Sequence, residues 1–288
     1  MSEVPPAPIW PSDDPFFLVA PIRPDTYVRV QPDEILALKQ AISNGRVAVV
    51  TGPLGIGKTS LCRYIVDELM NESLSTSDAS KQIVPVYLSG AAYRETDDFL
   101  KGIIKELALD SNKDRVTLFN IMTSWPKEHK EKLAAVIDDA SESGANVDEL
   151  GEFLRALADV ENIAIVLNGE PRRMKKFLDL NPPLRDRIQT IIELRQMTRD
   201  ELREMLTKRA KTHGVEDYLS EGAFDELYRL SKGVPRAALK AASKAFELAR
   251  KEGKKIDRNL VKRANRTSFW ERLFPFLRKK RSKLLQIQ

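Results

Sequence analysis

Cysteine and histidine are scarce in this chain of 288 residues, which contains one cysteine, Cys62, and two histidines, His129 and His213. A disulfide needs two cysteines, and a structural zinc site needs about four cysteine or histidine ligands. The composition therefore excludes a disulfide framework and a structural zinc site. A single free cysteine is typical of a protein from a reducing compartment.

Long apolar runs are also missing, because no segment approaches the roughly 20 apolar residues that a membrane-spanning helix requires. The N-terminus shows no basic stretch followed by an apolar core, the pattern of a secretory signal. We therefore expect a cytoplasmic protein. Hydrophobic residues make up 42% and charged residues 31% of the chain, which is typical of a folded globular protein.

The charge of the chain is distributed unevenly. Residues 236–266 carry eleven basic and three acidic side chains, and residues 269–288 carry six basic and one acidic. Since the whole chain has 47 basic and 42 acidic residues, residues 1–235 have a net charge of −8. The chain thus combines an acidic body with a basic C-terminal end.

Five short apolar runs predict β-strands. Several are continuous and rich in β-branched residues, which is typical of strands buried on both faces of a parallel sheet. Segments with helical periodicity separate them, so the sequence predicts an α/β fold with a five-stranded parallel sheet flanked by helices. The predicted strands are residues 47–51, 83–88, 133–137, 163–167 and 189–194. After Thr198 only helical periodicity remains, which predicts a C-terminal all-helical lid.

Residues 52–59 read Gly-Pro-Leu-Gly-Ile-Gly-Lys-Thr and match the phosphate-loop pattern G-x-x-x-x-G-K-[ST] at every position. In such a loop the glycines allow backbone N–H groups to surround phosphates, the lysine reaches the outer phosphates and the threonine hydroxyl binds Mg²⁺. A predicted strand precedes the loop and a predicted helix follows it. We therefore predict that it binds ATP with Mg²⁺ through Gly52, Pro53, Leu54, Gly55, Ile56, Gly57, Lys58, Thr59 and Ser60.

Two neighbouring carboxylates, Asp138 and Asp139, follow the third predicted strand. A phosphate loop needs a further carboxylate beside Mg²⁺, usually at the end of another buried strand. We expect Asp138 to face the metal with Thr59, and Asp139 to polarise the attacking water. Because aspartate reaches less far than glutamate, we expect slow hydrolysis. The alternative is that the pair only caps a strand-to-turn junction.

Four further side chains are candidates for the site. Asn168 closes the fourth strand and is placed to orient the water, or it is a turn residue before Gly169. Arg185 and Arg187 precede the fifth strand, where an arginine can reach the nucleotide of a neighbouring subunit; the alternative is surface ion pairs. Arg236 begins a helix of the lid after a glycine and a proline, and from there it can lean onto the nucleotide.

Together these motifs resemble the AAA+ ATPases of the branch that includes origin-recognition initiator, secretion-pathway and transposition-regulator ATPases. The resemblance covers roughly residues 14–265. Further features support the resemblance. Asp138-Asp139 resembles the second Walker motif, Asn168 resembles sensor 1, and residues 233–239 with Arg236 resemble sensor 2. Residues 184–209 resemble the arginine-finger region and the start of the lid, and the N-terminal residues 11–16 also resemble the family.

The resemblance implies a ring or filament in which Arg185 or Arg187 enters the next subunit's site, and an ATP state that governs assembly on a partner, frequently DNA. The Asp-Asp pair and Gly-Val-Pro-Arg also resemble the STAND signalling ATPases. The alternative function is therefore a nucleotide-dependent switch that recruits a protein or membrane partner with little turnover.

These observations predict four segments: an extended, proline-rich N-terminal arm packed against the core (1–24), the ATP-binding core (25–197), the helical lid (198–266) and a basic aromatic tail (267–288). For the tail we consider contact with DNA phosphates, docking of its aromatic residues on protein, and binding to an anionic membrane surface. Pro275 disfavours the membrane helix. Our leading hypothesis is DNA binding through the lid and the tail.

Overall fold

The computed structural model describes residues 10–17, 26–28 and 31–266. The predicted tail, residues 267–288, lies outside the described residues. The described chain forms two compact units, with a division between Met197 and Thr198. The α/β unit contains residues 26–28, 31–197 and 234–236, and the helical unit contains residues 10–17, 198–233 and 237–266.

The α/β unit contains a parallel sheet of five strands in the order β2-β3-β4-β1-β5. This confirms the predicted five-stranded parallel sheet. Each observed strand overlaps a predicted run to within one or two residues at either end. The strands are β1 (Val47–Thr51), β2 (Ile83–Ser89), β3 (Lys132–Asp138), β4 (Ile163–Gly169) and β5 (Ile188–Glu193).

Helices connect successive strands, and a run of helices follows the sheet, which confirms the predicted all-helical C-terminal region. The helices of the α/β unit are α1 (Pro32–Ser43), α2 (Lys58–Ser75), α3 (Thr96–Glu106), α4 (Arg115–His129), α5 (Val147–Ala158), α6 (Pro171–Leu180) and α7 (Pro182–Arg185). The helices that follow are α8 (Arg199–Lys211), α9 (Glu221–Ser231), α10 (Pro235–Glu252) and α11 (Arg258–Asn265). Residues 234–236, which the sequence places in the lid, group with the α/β unit.

The sheet has a separate apolar core on each face because successive side chains of a strand point to opposite sides. In β1, Val47 and Val49 belong to the core that α3, α4 and α5 cover, whereas Ala48 and Val50 belong to the core that α1 and α2 cover. β1 is therefore buried on both faces, which explains its continuous apolar sequence.

Residues 10–17, part of the predicted N-terminal arm, pack within the helical unit. The Trp10 ring meets the rings of Tyr218 and Phe246 edge-on, with centroids 4.9 and 5.1 Å away. Phe16 is fully buried against Phe246. Because aromatic rings bury large apolar areas, Trp10 and Phe16 anchor this short segment on the helices.

Across the described ranges, no helix combines the length and the apolar character that crossing a membrane requires.

Candidate functional site

The parallel strands bring the predicted motifs together at the carboxyl-terminal ends of β1, β3 and β4. Residues 52–57 follow β1, Asp139 follows β3, and Asn168 lies near the end of β4. Since β4 lies between β1 and β3, Asn168 is placed between the loop and the carboxylates. The crevice outside the carboxyl ends of parallel strands is where open α/β sheets bind ligands.

The loop after β1 takes backbone conformations that glycine adopts at low cost. Gly55 has φ 81° and Gly57 has φ 115°, both in the left-handed region. A Cβ on Gly57 would meet no atom within 4 Å, so open space lies beside the start of α2. A Cβ on Gly55 would lie 2.8 Å from the Cβ of Arg236. The glycines therefore leave room for a ligand at the helix N-terminus and for the close approach of Arg236.

Lys58 is the first residue of α2, and only 7% of it is exposed. Its ammonium group donates a hydrogen bond to the backbone oxygen of Gly52, 3.0 Å away. Burial lowers the pKa of Lys58, the carboxylates of Asp139 and Asp138 raise it, and the nearby charge of Arg236 lowers it further. A buried cation beside a helix N-terminus is a site for an anion such as a phosphate group.

Asp138 accepts hydrogen bonds from three different elements. Thr59 Oγ1 donates to its Oδ1 over 3.2 Å, and Tyr87 donates its hydroxyl to Oδ2 over 2.6 Å. Asn168 Nδ2 also donates to Oδ1. The hydroxyl of Thr59 and the carboxylate of Asp138 are hard oxygen ligands side by side, the donor chemistry that Mg²⁺ prefers. This donor set fits the predicted metal.

Asp139 is held in a left-handed backbone conformation, with φ 51° and ψ 43°. Such a conformation costs of the order of 1–3 kcal/mol in a residue other than glycine, and aspartate is among the residues that tolerate it. The side-chain oxygen of Asn168 accepts the N–H of Asp139 at 3.1 Å. Burial and the charge of Asp138 raise the pKa of Asp139.

Asn168 is fully buried and uses both ends of its amide. Besides its bond to Asp138, Nδ2 donates to Cys62 Sγ at 2.9 Å, while Oδ1 holds Asp139. Burial raises the pKa of the Cys62 thiol to about 12, so this thiol remains protonated at neutral pH. Asn168 thus fixes the two carboxylates relative to α2.

Tyr87 and Cys62 are site residues that sequence reasoning missed. Cys62 lies one helical turn after Lys58 and Thr59, so helical spacing alone signals its proximity to them. Tyr87 lies in the middle of an apolar strand, and only the pairing of β2 with β3 brings it near Asp138.

Arg185 and Arg187 lie at the amino end of β5, whereas the phosphate loop follows the carboxyl end of β1. Because β1 and β5 are parallel neighbours, these arginines and the loop lie at opposite ends of the strands. Arg187 binds both oxygens of Asp159, over 2.6 and 2.9 Å, and the Pro183 carbonyl oxygen over 2.6 Å. Arg185 makes one long contact of 3.5 Å with Asp179.

Arg236, by contrast, approaches the loop directly. Its backbone N–H donates to the carbonyl oxygen of Gly55 over 3.2 Å. The positive charge of Arg236 lowers the pKa of Lys58 and opposes the rise in the pKa of Asp139. The α/β unit therefore brings Arg236 to the loop but leaves Arg185 and Arg187 remote from it.

The parallel sheet with a phosphate loop after β1 and two carboxylates at the end of β3 defines a P-loop fold of the AAA type. In agreement, residues 40–178 match the family model described as "AAA domain". The fold that the resemblance to the origin-recognition branch implies is confirmed by solved structures of origin-recognition proteins.

One similar structure is that of the ORC2 protein of Aeropyrum pernix in its ADPNP-ADP complexes, with a TM-score of 0.71 and 19% identity over 88% of this chain and 71% of that chain. Another is the ORC1 protein of the same organism in complex with DNA, with a TM-score of 0.64 and 15% identity over 85% of this chain and 67% of that chain. These likenesses establish the fold.

A curated relative, described as an uncharacterised HTH-type transcriptional regulator of Methanocaldococcus jannaschii, is 22% identical over 263 residues. The match covers 79% of this chain and 64% of the relative. The chain therefore spans less than two thirds of the length of this relative.

Proposed function

We propose that this protein is an AAA+ ATPase that binds ATP with Mg²⁺, hydrolyses it slowly, and uses its nucleotide state to control self-assembly and engagement of DNA. The observation that carries the proposal is that buried Lys58 bonds to the loop at the start of α2, while its neighbour Thr59 bonds to Asp138 at the end of β3. A buried cation and two oxygen ligands at a helix N-terminus form a site for a metal-bound polyphosphate.

In this proposal each residue has a defined task. The backbone N–H groups of the loop and the ammonium of Lys58 bind the phosphates, while Thr59 and Asp138 hold the metal ion. A Mg²⁺ ion held there would supply positive charge to neutralise the phosphates. Asp139 orients that water, and Asn168 holds Asp139 in place. The raised pKa of Asp139 favours proton acceptance, whereas its short side chain limits its reach.

The first experiment measures ATP binding to a Lys58→Ala variant by calorimetry. A charge-assisted hydrogen bond contributes about 1.5–3 kcal/mol, so the affinity should fall roughly 10- to 100-fold. Lys132→Ala is the matched control, because Lys132 also donates to a backbone oxygen, that of Ser43, away from the loop. Equal affinities for the Lys58 variant and the natural chain would refute ATP binding at this loop.

The proposed DNA-binding surface includes an exposed stripe of α10. Lys240, Lys244 and Lys251 project from one side of this helix, with Glu247 among them. Elsewhere in the helical unit, several arginines form ion pairs with acids, as in Arg199–Asp225, Arg203–Glu221, Arg229–Glu226 and Arg258–Asp225. α10 exposes none of the large hydrophobic side chains that a membrane-surface helix requires. Its charge therefore favours phosphates of a nucleic acid.

Electrophoretic retardation of duplex DNA by the full chain tests the DNA-binding part of the proposal. We expect ATP-dependent binding that weakens steeply with salt, and a loss of binding when Lys240, Lys244 and Lys251 are all changed to Glu. The control changes the exposed Lys101, Lys105 and Lys113 of the α/β unit to Glu, which alters net charge equally. If the natural chain fails to bind DNA at low salt, the DNA-binding part of the proposal is wrong.

The alternative function is a STAND-like switch that retains ATP and recruits a protein or membrane partner. The observation that favours it is the short Asp139, held in a strained conformation beside a second carboxylate. Single-turnover measurements distinguish the two functions. A switch predicts tightly retained ATP with little hydrolysis, and faster hydrolysis in an Asp139→Glu variant. Turnover that DNA strongly accelerates would support the DNA-engaging ATPase.

A further inference from the structure

Tyr87 lies on β2, the edge strand that pairs with β3. In the parallel register Ser89 is opposite Asp138 and Tyr87 is opposite Val136. Side chains two residues apart share a face of the sheet, so Tyr87 and Asp138 lie on the same face. The long phenol side chain spans the two-residue offset, and its hydroxyl donates to Asp138 Oδ2 over 2.6 Å.

The ring of Tyr87 is supported from α2. The guanidinium carbon of Arg63 lies 4.6 Å from the ring centroid, a cation–π geometry. Arg63 is on the helix that begins with Lys58 and Thr59. A tyrosine hydroxyl is protonated at neutral pH, so Tyr87 is a hydrogen-bond donor to Asp138.

The two oxygens of Asp138 have different partners. Oδ1 accepts from Thr59 and Asn168, whereas Oδ2 accepts from Tyr87. Without the Tyr87 hydroxyl, a buried oxygen would lose this partner and the carboxylate could rotate about its terminal torsion, which is a broad one. A rotated carboxylate would no longer present Oδ1 beside the Thr59 hydroxyl.

We infer that Tyr87 is a positioning residue that orients the Asp138 carboxylate for a divalent cation held with Thr59. The inference rests on the proposed binding of ATP with Mg²⁺ and assigns to that site a residue outside its sequence motifs. Hydrogen-bonding partners of metal ligands typically change metal affinity 10- to 100-fold when they are removed. Tyr87 thus tunes the affinity of the site for the metal rather than for the nucleotide.

The test compares a Tyr87→Phe variant with the natural chain, using a fluorescent ATP analogue in EDTA and in a Mg²⁺ titration. We expect unchanged affinity in EDTA and about a tenfold increase in the Mg²⁺ concentration needed for half-maximal enhancement of binding. Mn²⁺ binding to the nucleotide-loaded protein, followed by electron paramagnetic resonance, should weaken to the same extent. Tyr93→Phe, whose ring packs on Phe99, is the matched control and should match the natural chain.

A double-mutant cycle with Asp138→Asn shows whether Tyr87 acts through Asp138. In that background, Tyr87→Phe should cause no further loss of Mg²⁺ dependence. Equal weakening of binding in EDTA and in Mg²⁺ would indicate a purely structural role and overturn the inference, as would a Tyr87→Phe variant with the natural Mg²⁺ dependence. If the natural chain itself binds the analogue without any Mg²⁺ enhancement, the proposed ATP–Mg²⁺ function fails instead.

Discussion

Several features of Asp139 are energetically unfavourable. It is half-buried, it lies beside the like charge of Asp138, and its backbone is in the left-handed region. Lys58 and Arg236 offset only part of the electrostatic cost, since the pKa of Asp139 is still raised. Strain and charge repulsion concentrated in this way are typical of functional sites.

We expect an Asp139→Asn variant to be more stable than the natural chain at pH 7 without nucleotide. Because the folded pKa of Asp139 lies above its unfolded value, ionised Asp139 destabilises the fold. This destabilisation is fully present above the folded pKa and vanishes below the unfolded pKa, near 3.9. Asparagine also tolerates the left-handed conformation.

Thermal unfolding of both proteins between pH 4 and 8 checks this prediction. The difference in Tm should shrink as the pH falls through the folded pKa of Asp139. A difference that is independent of pH, or a variant that is less stable at pH 7, would contradict it.

Replacement of Arg187 by alanine should affect thermal stability, whereas replacement of Arg185 should affect ATPase activity. Arg187→Ala loses the paired contact with Asp159 and should lower the Tm slightly. Arg185 has one long contact and is half exposed, so Arg185→Ala should leave the Tm unchanged and reduce the ATPase rate of assembled protein. In the proposed assembly, Arg185 is therefore the better candidate for the arginine that would act on a neighbouring subunit.

A mixing experiment checks this assignment. The Lys58→Ala variant retains Arg185, and the Arg185→Ala variant retains the loop, so a mixture should recover ATPase activity that neither protein has alone. Recovery by mixing Lys58→Ala with Arg187→Ala instead would assign the role to Arg187.

At the scale of elements, contact between helices positions α7, which carries Arg185. Gly151 of α5 leaves space for the side chain of Asn181, the residue before α7. A Cβ on Gly151 would lie 1.7 Å from Asn181 Oδ1. Asn181 is buried, and its Nδ2 donates to Phe177 O over 2.9 Å. The packing of α5 thus fixes where α7 begins.

Gly151→Ala should therefore destabilise the protein, although alanine favours a helix by about 1 kcal/mol over glycine. For so short a contact we expect overpacking to cost about 3 kcal/mol, which leaves a net loss of about 2 kcal/mol. Adding Asn181→Ala should recover part of this loss, because the clashing side chain is then absent. Denaturant unfolding of the single and double variants measures both effects, and a Gly151→Ala variant as stable as the natural chain would contradict the argument.

At the scale of the whole molecule, the helical unit includes a segment from the far N-terminus. Asp14 accepts a hydrogen bond from Ser243 of α10, and Arg250 donates to the Ser12 carbonyl oxygen over 2.9 Å. With the aromatic contacts of Trp10 and Phe16, these bonds join residues more than 200 positions apart. The helical unit therefore depends on both ends of the described chain.

Phe16→Ala should destabilise the helical unit by about 3–5 kcal/mol, the usual loss for a buried phenylalanine. The adjacent Phe17→Ala is the matched control, because Phe17 is 61% exposed and should have little effect. Hydrogen exchange of the α10 amides measures the local stability. Equal protection of α10 in the two variants would show that the segment contributes nothing to the helical unit.

Much of the fold could be predicted from the sequence because its signals are local. A strand buried on both faces needs a continuous apolar run, as in β1, and a phosphate loop needs glycines and a lysine at fixed spacing. These requirements act over fewer than about ten residues, so one segment displays them. The loop, the five strands and the position of Asp138 and Asp139 after a strand follow directly.

The contacts between distant segments were decided only by the tertiary structure. The bond from Tyr87 to Asp138 depends on which strands are neighbours, and the difference between Arg185 and Arg187 depends on where Asp159 lies. The packing of Trp10 and Phe16 likewise depends on helices more than 200 residues away. Such contacts join residues remote in sequence and leave no local pattern. The sequence by itself therefore determined the phosphate loop. Only the tertiary structure decided which side chains from other strands and helices surround that loop.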